Sequence, residues 1–183
     1  MNPLPQTDSI APPGDELAAR ARLGDTSAFQ LLYRRLARSV HALLAARLSA
    51  HEAEDRVQEV FLKAWRARGE LREPARVGSW LLAIARREAV AALRSRTQAA
   101  ELPETLADAR GADQDRGELG ALVLAELRTL PEAYRETLAL RLLGEHSGDE
   151  ISALTGMTPG SVRVNLSKGM QMLRERLQRR GLP

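Results

Sequence analysis

Arg163, Val164, Lys168 and Gln171 stand close together near the end of the chain, and each has a side chain suited to a DNA base edge. Arg and Lys reach guanine acceptors, Gln pairs with adenine, and Val touches a thymine methyl. Projection at about 100° per residue places Val162, Leu166, Met170, Leu173 and Leu177 on one face of a helix. Arg163 flanks that face, and Val164, Lys168 and Gln171 lie opposite it. An amphipathic helix with a solvated basic face would show the same pattern. The residues just before it favour DNA. Ser147 and Glu150 form a capping box at one helix start. Gly156 supplies a left-handed stop, Thr158 offers a second N-cap, and Pro159 takes the first helical position. A short capped helix, a glycine turn and a basic second helix make a helix-turn-helix, shaped for the major groove.

No other constellation supports catalysis. Asp55, Gln58, Glu59 and Leu62 fall near one another at helical spacings of three and four. By periodicity they read as a solvated acidic face beside a core stripe. Carboxylates on consecutive turns of one helix do not converge on a substrate, and nothing nearby pairs a nucleophile with a base. His41, His51 and His146 lack ligand spacing, and Cys is absent, so neither a metal site nor a cofactor is expected. Trp80, Arg86, Arg87, Arg94 and Arg96 could bind single-stranded nucleic acid by stacking and phosphate contact. Trp65 and Trp80 nevertheless read first as core. The chain is expected not to be an enzyme.

The elements that must position these residues read as helices throughout. Aromatics are 3% of the chain, so Leu, Ala and Val must pack the core. Residues 1–14 hold four prolines and read as a disordered leader. Helices are expected at about 15–23, from Asp25 with Phe29, Leu32, Leu36 and Val40 on its stripe, at 52–68, and at 79–94, with a loop from Gly69 to Gly78. That gives a four-helix N-terminal domain at 15–96. Residues 97–117 lack a helical period and read as an acidic flexible linker. A C-terminal domain at 118–183 follows, with helices at about 118–129, 131–144, 147–155 and 159–179. The fold class is all-α, with two small helical domains.

Charge follows the same division. Residues 15–96 carry 16 Lys/Arg against 10 Asp/Glu, residues 97–118 carry 2 against 6, and residues 119–183 carry 9 against 7. Two basic blocks flanking an acidic connector suit two surfaces that meet a polyanion. No signal-type N-terminus and no apolar run near 18 residues is present, so a cytoplasmic chain without membrane insertion is expected.

Together these segments resemble the extracytoplasmic-function (ECF) sigma factors of bacterial RNA polymerase. The strings that carry the resemblance are Gly24 to Arg35, Ala53 to Trp65, Ser79 to Arg86, and Leu130-Pro131-Glu132-Ala133-Tyr134-Arg135 ahead of the helix-turn-helix. The resemblance implies a sigma region 2-like domain at 15–96 and a region 4-like domain at 118–183. It implies that Asp55, Gln58, Glu59 and Leu62 dock on core polymerase. Ser79, Trp80, Arg86 and Arg87 would read and open the −10 element, which requires capturing an unstacked base. Ser161, Arg163, Val164, Ser167, Lys168 and Gln171 would read the −35 element. The linker would thread toward the polymerase active-site and RNA-exit channels. An anti-sigma factor is an expected partner, and the polymerase-bound form is expected to be monomeric.

The chain also departs from the family pattern. Arg87 stands where Asn is usual, Ala91 where Asp is frequent, Arg56 where Leu is common, and Gly148 where an aromatic is common. Val164 and Asn165 occupy positions more often held by Ser and Arg. The promoter sequence therefore stays open. Two other functions fit parts of the chain: a helix-turn-helix regulator acting without polymerase, and a sigma-like decoy for an anti-sigma protein. The four-helix N-terminal domain argues against the first, and the basic recognition helix against the second.

Overall fold

The structure is a computed structural model that describes residues 13–100 and 117–182. Among these residues it is helical, with no strand. The N-terminal half contains α1 (Gly14–Arg22), α2 (Thr26–Ala45), α3 (Ala50–Arg66) and α4 (Val77–Ala100). The C-terminal half contains α5 (Gly117–Arg128), α6 (Glu132–Leu142), α7 (Gly148–Thr155) and α8 (Pro159–Arg179).

Side-chain caps set the helix starts. The Asp25 carboxylate accepts the Ala28 amide at 3.0 Å and opens α2. Ser49 and Glu52 form a reciprocal capping box that opens α3, so this helix starts two residues before the expected Glu52. The Ser147–Glu150 box opens α7, and Thr158 accepts the Ser161 amide at the start of α8. Between α7 and α8, Gly156 has φ 74°, a left-handed turn that a Cβ would strain.

Two expected boundaries are corrected. Helix α4 runs to Ala100 and does not stop near Arg94. The Ala-rich stretch sustains helix without an apolar stripe, and Thr97 satisfies its hydroxyl on the Leu93 carbonyl at 3.1 Å. The acidic segment placed at 97–117 thus begins inside α4 and ends at the first residue of α5; residues 101–116 lie outside the described residues. The leader expected at 1–14 also ends early, because Gly14 is helical; residues 1–12 lie outside the described residues. The expected loop from Gly69 to Gly78 contains two short 3₁₀ turns, Arg68–Glu70 and Pro74–Arg76.

The N-terminal core forms where the α2 stripe of Leu32, Leu36, Val40 and Leu43 meets Val57, Val60 and Phe61 of α3 and Leu81, Ile84 and Ala85 of α4. Each such buried Leu, Ile or Val contributes about 1.5–3 kcal/mol by leaving water. A second cluster joins Leu124, Leu127, Leu130, Leu138 and Leu173 with Ala46, the residue that caps the C-terminus of α2. The two halves pack together. Leu140, Ile151, Leu154 and Val162 are buried in the same apolar cluster as the N-terminal core.

Candidate polymerase and promoter interfaces

On α3 the apolar positions Ala53, Val57, Val60 and Ala64 face inward, leaving Asp55, Gln58, Glu59 and Leu62 exposed along one side. Leu62 is 49% exposed, an unusual position for a Leu on a helix with so strong a buried stripe. Its setting explains this. Leu62 and Gln58 form one wall of a groove of about 440 Å³ between α2 and α3, floored by Phe29, Tyr33, Phe61 and Trp65. The rings are mutually tilted, with centroids 5.0 Å apart for Phe29–Trp65 and 4.6 Å for Tyr33–Phe61. The Arg68 guanidinium lies 4.4 Å from the centroid of the Trp65 ring. Trp65 is therefore a half-buried groove wall and not the core residue its spacing suggested. An acidic row beside an aromatic groove can seat a basic helix that offers one large apolar side chain. The groove was missed in the sequence because half of it comes from α2, about 30 residues earlier.

On α4, Ser79 and Trp80 are half-buried; the Ser79 hydroxyl donates to the Arg76 carbonyl at 3.0 Å, and Trp80 packs against the N-terminal core. Arg87 is exposed. Arg86 is engaged: Nε donates to Glu136 Oε2 at 3.0 Å and Nη2 to Glu136 Oε1 at 2.5 Å. The same carboxylate accepts from Arg47 Nη2 at 2.9 Å, and Arg47 also pairs with Glu132. Burial pushes the Glu136 carboxyl up, but the hydrogen bonds and charges of Arg86 and Arg47 outweigh it and hold the group below the usual carboxylate range. The sequence places Arg86 and Arg87 side by side; the structure separates them, one paired and one free of Glu136. Arg47 and Glu136 carried no local signal, because the ion pairs that engage them span 50 to 89 residues.

On α8 all six expected residues, Ser161, Arg163, Val164, Ser167, Lys168 and Gln171, are exposed. Val162 and Leu173 are buried and Leu166, Met170 and Leu177 half-buried, so the apolar face lies as the projection placed it. Ser161 is partly committed to its cap, sharing a 2.9 Å hydrogen bond with Thr158 Oγ1. Gln171 donates to Glu175 at 3.0 Å and must release it to pair with a base. Asn165 leans back toward Met157, with Nδ2 3.9 Å from Sδ, so it supports the turn and does not extend the reading face. Elsewhere, His51 sits 3.8 Å from Asp55, and His146 lies in the contact between the halves, 2.7 Å from Ser39 Oγ.

A four-helix half with an exposed aromatic groove, followed by a helix-turn-helix with an open basic face, defines a two-part DNA-binding protein. The comparisons give it a family. The Sigma-70 region 2 description matches residues 32–99 and the Sigma-70, region 4 description matches residues 121–173. The RNA polymerase sigma factor CarQ of Myxococcus xanthus is 34% identical over 163 residues, covering 86% of this chain and 94% of that protein. The ECF RNA polymerase sigma-E factor of Haemophilus influenzae is 28% identical over 177 residues, covering 88% and 94%. The solved structure of CnrH with the cytosolic domain of CnrY aligns with TM-score 0.65 and 23% identity over 90% of this chain and 97% of that one. RpoE of Bartonella quintana with the anti-sigma factor NepR aligns with TM-score 0.57 and 22% identity over 82% and 96%. Those two share the fold. The chain belongs to the ECF sigma factors, the non-enzymatic subunits that bind bacterial core RNA polymerase and direct promoter-specific initiation.

Proposed function

We propose that this sigma factor divides its work among the three faces just described. The acidic row of α3, with Asp55, Gln58, Glu59 and Leu62, and the aromatic groove beside it dock on core polymerase. The segment from Ser79 to Arg87 reads and opens the −10 element. The outer face of α8, from Ser161 to Gln171, reads the −35 element. Residues 15–96 and 118–183 are then the two functional domains, and 97–117 the acidic connector between their sites. The observation that carries this reading is the exposure of all six α8 positions on a helix whose opposite face is packed. The capped α7 and the left-handed Gly156 turn present that face as the second helix of a helix-turn-helix, the arrangement that enters a major groove.

The two fold relatives were solved with the cytosolic domain of CnrY and with the anti-sigma factor NepR. They support an anti-sigma partner for this chain as well, and the exposed α2–α3 groove is a surface such a partner can cover. The site of action is the cytoplasm, where polymerase works. Among the described residues no helix is long and apolar enough to cross a membrane. The deciding experiment is transcription reconstituted from core polymerase and this chain on its own genomic upstream region. Transcripts from one start site, absent with core polymerase alone, are the expected result. Their absence would return the chain to the decoy reading.

A further inference from the structure

The contact between the two halves is polar at its centre as well as apolar. Glu136 projects from α6 with its side chain 11% exposed, and both its oxygens bind guanidinium groups from the other half. Arg86 on α4 grips it with two donors, while Arg47, just past the end of α2 and only 5% exposed, adds a third and pairs with Glu132 too. Around this centre, Ser39 Oγ lies 2.7 Å from His146 Nε2, Arg38 donates to the Leu143 carbonyl at 3.1 Å and pairs with Glu145, and Arg128 donates to the Ala45 carbonyl at 2.9 Å. On the apolar side, α7 comes so close to the start of α4 that a Cβ on Gly78 would sit 2.7 Å from Leu154. The −10 segment is thus covered by the half that carries the −35 reader.

A guanidinium holds a carboxylate with the same two-pronged geometry that it offers a phosphate. We propose that Glu136 is an internal stand-in for a DNA phosphate, a latch that keeps Arg86 from nucleic acid and the two halves closed until they are separated. This rests on the reading of Arg86 as a −10 contact. The physics suits a latch more than a weld. Removing one partner of a buried ion pair leaves an uncompensated charge, yet the net hold of the intact pair is modest because both charges were stripped of water to form it. Such a contact is specific when made and readily exchanged for an equivalent anion. A closed chain also binds DNA in proportion to its open fraction, so a chain open about a tenth of the time gains about tenfold when the latch is removed.

The full chain has no cysteine, so Ala19→Cys with Gln178→Cys, both exposed positions on α1 and α8, accepts a donor–acceptor dye pair. In that background Glu136→Gln should lower energy transfer in the free protein. The same variant should bind a fluorescent mixed-sequence single-stranded 20-mer about tenfold more tightly. Adding Arg86→Ala should cancel the gain in DNA binding but leave the halves apart. If circular dichroism shows that Glu136→Gln loses helix, Glu145→Lys takes its place, since it opposes Arg38 from an exposed rim position without disturbing a buried group. Unchanged energy transfer, or unchanged affinity in an opened chain, overturns the latch. The promoter reading fails separately: a wild-type chain that never directs core polymerase to its own upstream region removes that reading, whereas opening by Glu136→Gln would still stand.

Discussion

The proposed −10 and −35 surfaces of this sigma factor both carry basic residues and stand in opposite states. On α8, Arg163 and Lys168 are exposed, with no acidic side chain paired to them among the described residues. On α4, Arg86 is held by Glu136, and the start of the helix at Gly78 lies against Leu154. The difference comes from packing partners and not from local sequence. Helix α8 turns its apolar face to α6 and leaves the other bare, whereas α4 is packed by α2 and α3 on one side and by α7 on another. A basic residue on a helix is therefore available to DNA only where no second element brings a carboxylate to it.

The largest break in this contrast should come from the core that the two halves share. Leu140→Ala removes a fully buried side chain from the cluster that both halves share. It should cost about 2–5 kcal/mol of stability and lower the thermal midpoint of the whole chain, followed by circular dichroism. A comparable loss confined to one half would show that the halves are stable separately. Next, Lys168→Ala and Arg163→Ala should each weaken −35-dependent initiation by about 1–3 kcal/mol if they touch bases, and by less if they touch only phosphate. Transcription from promoter variants measures this, and unaltered promoter selection in both would move the reading face off α8. Asp55→Lys and Glu59→Lys should each weaken core-polymerase binding by about 1 kcal/mol, with helicity kept and a marked dependence on salt. Equal affinity in a polymerase titration would leave the aromatic groove as the sole anchor.

The smallest effect concerns pH. Burial holds the His146 imidazole below its ordinary value of 6.5; Glu150 pulls it up and Arg38 pushes it further down. The folded chain therefore takes up this proton less readily than the unfolded one. Its contribution to stability is complete above pH 6.5 and declines as pH falls below it. A modest drop in thermal midpoint between pH 7.5 and 5.5 should follow, and His146→Asn should flatten it. A slope that survives unaltered in His146→Asn would remove His146 as its source.

What the sequence made legible was local. The Ser147–Glu150 box, the Thr158 cap and the Gly156 turn each act within three or four residues, so their spacing alone predicts the helix-turn-helix. The outward face of α8 was legible for the same reason. The end of α4 was not, since an Ala-rich helix without an apolar stripe has propensity but no periodicity to read. The aromatic groove was half legible: Gln58 and Leu62 stand out on α3, but Phe29 and Tyr33 reach it from another helix. The state of Arg86 was illegible. Its partner lies 50 residues further along, and a lone Glu in an amphipathic helix looks like any solvated charge.

The shared apolar cluster of Leu140, Ile151, Leu154 and Val162 with the N-terminal core bears on how such proteins can be recombined. Exchanging C-terminal halves among relatives is an obvious way to graft one promoter preference onto another polymerase-docking domain. Here the exchange would also replace a seam, and a donor half without matching side chains at these four positions would meet this N-terminal core with holes or clashes. The halves of this chain are a fitted pair.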